Sequence, residues 1–188
     1  MFKQHWPKYL AEFIGTFALV FIGAGAVLSA KNGDIGTVGV ALAHGLVLIS
    51  IIYSIGHISG AHVNPAVTFA TWATGHMKSK IAFSYIAAQL LGSVFASVLL
   101  KLFLFPGITG SGLGAPALRV GSLLYPGSLT SSYGVSISPI AGIVIEAILT
   151  FFLVWAIMGS AVDERNSNRG FAGFAIGFIL GGAAQKLV

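Results

Sequence analysis

The sequence predicts an all-α membrane protein: a helical bundle with an inverted internal repeat, holding about five spans and one re-entrant half-helix. Three observations predict it. First, the 188 residues are 56% hydrophobic and 8% charged, with a mean hydropathy of +0.91, whereas soluble domains carry about 25% charged residues. Second, the apolar stretches are each near the ~20 residues that cross a bilayer core. Third, a polar, glycine-bearing stretch at 56–64 breaks the apolar pattern and runs into Asn64-Pro65-Ala66.

Taken in order, residues 1–8 read as a short basic, aromatic tail. Span one covers about Tyr9–Ala30, with Glu12 as its only charge, and 31–37 is a polar turn. Span two covers about Val38–Ile55 and contains His44. From Gly56 the chain is expected to unwind, so that backbone carbonyls from Gly56 to His62, and those of Gly60, Ala61, His62 and Val63 next to Asn64, face a polar path. Asn64 is a strong N-cap, because its side-chain oxygen takes up an N–H of the first turn. Pro65 suits the first helical position, where a missing N–H costs nothing. The helix that follows should run to about Thr74 and stop near Gly75. It is then about 15 Å long, half of a bilayer core. An unwound stretch followed by a half-length helix suggests a re-entrant loop lining a polar path.

A basic link, 76–80, leads to span three, about Ile81–Leu104. Residues 105–136 are rich in Gly, Ser and Pro and read as a long external loop. Span four, about Ser138–Val162, contains Glu146. Residues 163–169 form a charged turn, and span five starts at Gly170 and reaches the chain end. Lys3, Lys8, Lys78, Lys80, Arg165 and Arg169 fall on one side of this arrangement. The positive-inside rule makes that side, and the N-terminus, cytoplasmic.

The repeat is read from Glu12-Phe13-Ile14-Gly15-Thr16-Phe17-Ala18-Leu19-Val20 against Glu146-Ala147-Ile148-Leu149-Thr150-Phe151-Phe152-Leu153-Val154. The offset is 146 − 12 = 134, and it pairs the two acids that lie within spans. Spans one and four are three apart, an odd number, so the copies are inverted in the membrane. One domain, 1–188, then comprises a first repeat at about 1–104, the loop at 105–136 and a partial second repeat at about 137–188.

Ser59-Gly60-Ala61-His62-Val63-Asn64-Pro65-Ala66-Val67-Thr68 resembles the first pore loop of the aquaporin and aquaglyceroporin family, and the likeness extends over the whole chain. The resemblance implies a right-handed channel bundle, a homotetramer with a pore in each complete protomer, an inner-membrane location, and passive conduction of water or small neutral solutes such as glycerol. Glu12 and Glu146 then brace the loops of their halves, with His62 as a further brace, and His44 and Ala184 take two positions of the narrow external filter. It also implies a second pore loop and a sixth span. Asn64 shifted by 134 falls near position 198, past Val188. The 188 residues by themselves are therefore expected not to form a selective water pore. A non-conducting partial subunit and a secondary transporter with broken helices stay open as alternatives at this point.

Other chemistries find little support. The basic residues are scattered between spans, so a nucleic-acid role is not expected. The chain has no cysteine, which removes disulfides, thiol nucleophiles and Cys-based metal sites. His57 and His62 are poorly spaced for a shared metal, and no nucleophile, base and acid come together, so no cofactor, metal or enzymatic activity is expected. The small-residue rows Ala88-Gly92-Ala96 and Gly173-Gly177-Gly181 are read as helix-packing faces.

Overall fold

The computed structural model describes residues 2–31, 33–104 and 139–184. The expected external loop at 105–136 and the last residues of span five lie outside them. Among the described residues the elements are α1 (Phe2–Lys31), α2 (Thr37–Ser59), α3 (Pro65–Ala73), α4 (Ser79–Leu99), α5 (Pro139–Ile157) and α6 (Ala172–Ala184). Single π-turns extend α4 over Leu100–Leu104 and α5 over Met158–Val162, and a 3₁₀ turn, Arg169–Phe171, leads into α6.

Among the described residues four helical stretches are long and apolar enough to cross a membrane: His5–Ala30, Thr37–Ser59, Ser79–Leu104 and Ile143–Val162. Where a fifth span was expected, the described helix α6 has only 13 residues. Two further boundaries differ from the sequence reading. The basic tail is helical from Phe2, with Pro7 inside α1. Pro7 lies in the second turn, so the hydrogen bond it forfeits is near a helix end rather than at mid-span. More consequentially, α2 does not unwind at Gly56. It continues to Ser59 and ends on Gly60, whose φ is +91° and whose N–H returns to Gly56 O at 2.9 Å. Gly60 supplies the left-handed cap that stops a helix cleanly, while Gly56 stays helical. The carbonyls of Gly56–Ser59 therefore belong to the last turn of α2, and the open loop is only Gly60–Asn64.

α1 packs between α2 and α4, α2 packs on α6, and α3 lies against α4 and α5. Small residues decide these close approaches. A Cβ on Gly92 would meet the backbone of α1, touching Phe13 O and lying 3.1 Å from Phe17 N. On the other side of α2, a Cβ on Gly45 would lie 2.9 Å from Gly177 O, and one on Gly181 would lie 2.8 Å from Ala41 O. Backbones approach this closely where no side chain intervenes, which is how helices gain contact when lipid supplies no hydrophobic driving force between them. The interior is Val and Leu from α1 and α2 (Val27, Leu28, Val40, Leu48) with Ile176 from α6. Large apolar side chains such as Phe83 and Leu91 face outward, as lipid-facing residues do on helices of span length.

Candidate functional site

Five residues, Gly60 to Asn64, join α2 to α3 at the centre of the bundle. Asn64 has an extended backbone (φ −153°, ψ 126°), and its Oδ1 accepts the Ala66 N–H at 2.8 Å. Pro65 takes the first helical position. The nine residues of α3 make a rod of about 13 Å at 1.5 Å per residue. The helix closes at Thr74, with Gly75 at φ +81° and the His76 N–H on Thr71 O at 3.0 Å. The half-helix thus starts and stops where its caps predict.

The loop is strained. Ala61 has φ +50° and Val63 has φ +40°, a region in which a β-branched residue is a genuine outlier. Each such residue costs on the order of 1–3 kcal/mol and persists only where its surroundings over-determine it. Here they do. Glu12 Oε1 accepts the His62 N–H at 3.0 Å, and Oε2 accepts the Val63 N–H at 2.7 Å. The Ala61 N–H goes to Ser59 Oγ at 3.1 Å. Glu12 has no exposed surface, and a carboxylate inside a span is tolerated when donors surround it.

This grip orients the loop. The His62 N–H shares a peptide unit with Ala61 C=O, and the Val63 N–H shares one with His62 C=O. Among the described residues no peptide bond is cis, so each carbonyl points opposite to its N–H. With both N–H groups on Glu12, the carbonyls of Ala61 and His62 point away from it. A cavity of about 310 Å³ is lined by Gly60 to Asn64 and, across from them, by apolar side chains including Leu48, Ile176, Leu19 and Leu153. Leu19 and Leu153 are equivalent in the two copies of the repeat (153 − 19 = 134). Because Asn64 Oδ1 is engaged by α3, its amide N–H groups are the end left for this cavity. Arg169, whose Nε donates to Asp163 O at 3.2 Å, also lines it.

Around Glu12 lies a network that sequence reasoning missed. Gln89, midway along α4 and 1% exposed, donates from Nε2 to Glu12 Oε2 at 2.8 Å and to Thr68 Oγ1 at 2.9 Å. Thr68 Oγ1 donates to Asn64 O at 3.1 Å and lies 3.2 Å from His62 Nδ1. Tyr85 packs edge-on against the His62 ring, with centroids 5.4 Å apart, and its hydroxyl donates to Ser59 O at 2.8 Å. A signal for Gln89 existed: an amide at the middle of an apolar span is a group that needs partners as a carboxylate does.

The remaining candidates lie elsewhere. His44 Nδ1 pairs with Val40 O at 2.9 Å, and its ring leans on α1 at Gly23, where a Cβ would come within 2.6 Å of Nε2. Ala184 is buried at the end of α6. Neither is among the residues lining the cavity. Glu146 departs from expectation. It was read as the buried counterpart of Glu12, but it is exposed, in a stretch of α5 that is exposed from Ile143 to Ile148. Glu12 is buried because loop N–H groups and Gln89 converge on it, and among the described residues no such segment lies against Glu146.

Spanning helices packed through glycines, a re-entrant half-helix at their centre and a cavity lined by the loop that starts it define a membrane channel of the half-helix type. The chain belongs to the major intrinsic protein family, whose family model matches residues 2–185. It is 40% identical to the probable aquaporin AqpM of Archaeoglobus fulgidus over 93% of this chain and 73% of that protein. It is likewise 40% identical to aquaporin Z of Rhodopseudomonas palustris, over 92% of this chain and 69% of that one. In fold it is similar to the X-ray structure of the aquaglyceroporin from Plasmodium falciparum, with a TM-score of 0.68, 23% identity, and coverage of 96% of this chain and 70% of the other.

Proposed function

We propose that this chain forms the wall of a passive channel for water and small uncharged solutes such as glycerol. The observation that carries the reading is the grip of Glu12 on the His62 and Val63 N–H groups, which points the Ala61 and His62 carbonyls away from Glu12 in a loop whose residues, Asn64 included, line the cavity. A hydroxyl passing there donates to the carbonyls and accepts from the Asn64 amide. The apolar side chains that share the cavity, among them Leu19, Leu48, Leu153 and Ile176, offer no competing partner. A cation is disfavoured at that point, because the N-terminus of α3 carries the positive end of the helix dipole; half-helix dipoles are a known means of excluding protons and cations from such pores. Nothing in this scheme couples flux to an ion gradient or requires a cofactor.

The names of the relatives, aquaporins and an aquaglyceroporin, support water and small-solute permeation. His44 and Ala184 are proposed as two positions of an external filter, with His44 narrowing it. A homotetramer in the inner membrane, with the N-terminus in the cytoplasm, completes the reading.

Stopped-flow light scattering of liposomes carrying this chain together with a second pore loop and a sixth span tests it. The expected result is osmotic shrinkage well above that of empty liposomes and insensitive to a proton gradient. His44→Ala should raise glycerol entry relative to water. Permeability equal to empty liposomes, or solute accumulation driven by an ion gradient, overturns the reading.

A further inference from the structure

Gln89 stands between the two parts of the chain that hold the pore loop. Its nitrogen faces Glu12 Oε2 at 2.8 Å and Thr68 Oγ1 at 2.9 Å. A carboxylate only accepts, so chemistry requires the amide nitrogen, not the oxygen, on the Glu12 side. Both amide hydrogens are then committed. Thr68 has one hydroxyl proton, and it goes to Asn64 O at 3.1 Å. The lone pairs of Oγ1 are left to receive Gln89 and His62 Nδ1 at 3.2 Å, which makes Nδ1 the protonated nitrogen of His62. One branch of donors therefore runs from Gln89 through Thr68 to the backbone of Asn64. The other runs from Gln89 to Glu12, which holds the His62 and Val63 N–H groups.

We infer that Gln89 is a positioning residue for permeation: by bridging Glu12 to Thr68 it holds the loop carbonyls and the start of α3 in one register. Glutamine is suited to this and its nearest substitutes are not. Asparagine is a methylene too short to reach both acceptors from the same backbone position. Leucine has no donor. Glutamate has one proton to give when neutral and none when ionised. The bridging itself stands on geometry, while its consequence for flux rests on the channel reading of the site.

Two measurements test it separately. The first is the pH profile of water permeability per protein in Gln89→Glu. The titratable groups facing that position are Glu12 on α1, His62 in the loop and Tyr85 on α4, with Tyr9 of α1 against Tyr85. Two carboxyls at this separation share one proton. Permeability should be below wild type even at the acid end, where one of the two bonds survives, and fall a further threefold or more (about one such hydrogen bond) as that proton leaves. Wild type should be flat over the same range. A Gln89→Glu profile as flat and as high as wild type overturns the inference. The second measurement is amide hydrogen exchange in Gln89→Leu. Residues 60–68 should exchange faster than in wild type while the middle of α2 keeps its protection; unchanged exchange at 60–68 overturns the bridge whether or not the protein conducts. A wild type that does not conduct would sink the channel reading alone and leave the exchange result to decide the role of Gln89.

Discussion

Asn64 divides its side chain between two tasks. Its Oδ1 caps α3 at 2.8 Å, and its amide hydrogens are left for whatever occupies the cavity. Substitution separates the tasks. Asn64→Ala removes the cap and should lower stability by about 0.5–2 kcal/mol, read as a lower melting temperature in detergent. Asn64→Asp keeps an oxygen on the Ala66 N–H but replaces the donor with a negative charge beside the positive end of α3. Sodium or proton leak should then appear in ion-flux assays on proteoliposomes, while the cap and the melting temperature are retained; a tight Asn64→Asp protein would contradict the assigned donor role. Away from the membrane, Asp163 is paired with Arg165 at 2.8 Å, and the Arg165 side-chain hydrogen bond holds its carboxyl down to about 2. The folded value is depressed from 3.8, so whatever the pair adds to the turn is present above that pH and is lost as pH falls through about 2. A carboxyl titration by NMR should show no transition for Asp163 between pH 3 and 7. At this scale Glu12 and Asn64 were legible in the sequence, because a charge in a span and an Asn-Pro cap each carry their reason locally. Gln89 was legible only as an amide in need of partners, and Thr68 not at all, because which groups they meet is decided far along the chain.

Among the elements, α3 was legible at both ends, since Asn64-Pro65 starts it and Gly75 stops it. The end of α2 was not. Gly56 and Gly60 are both plausible stops, and packing chose Gly60, where the chain must turn under the Tyr85 hydroxyl that binds Ser59 O. The contact between α1 and α4 carries a sharper consequence. Gly92 sits against the backbone of Phe13, the residue after Glu12. In Gly92→Ala the added methyl meets a carbonyl that cannot rotate away, so the helices must part, at about 1–3 kcal/mol. That movement also draws Glu12 from the loop N–H groups. Both the melting temperature and water permeability should fall. Gly159→Ala is the control, because a Cβ there meets nothing within 4 Å; equal effects of the two substitutions would remove the α1–α4 contact as the cause.

For the whole molecule, orientation is the quantity to measure. The chain contains no cysteine, so single cysteines report without background. If the N-terminus is cytoplasmic, Asp34→Cys, between α1 and α2, should react with an impermeant thiol reagent added outside intact cells. Asn166→Cys, between α5 and α6, should react only after permeabilisation. The reverse pattern would invert the assignment drawn from the basic residues. The repeat behaves differently at different positions: Leu19 and Leu153 line the same cavity, whereas Glu12 is buried and Glu146 is exposed. Matching letters bring matching environments only where both copies find the same neighbours.

The sequence by itself determined the membrane class, the position and length of the half-helix, and that the acid in span one needs buried donors around it. Those properties rest on hydropathy, caps and charge, which act within a turn or two of chain. Only the tertiary structure decided which way the Ala61 and His62 carbonyls point and which residues complete the brace. The reason is separation along the chain. Glu12 meets His62 across 50 residues and Gln89 across 77. No local periodicity specifies such pairs; they exist because glycine contacts bring α1 and α4 close enough for one buried carboxylate to collect three donors.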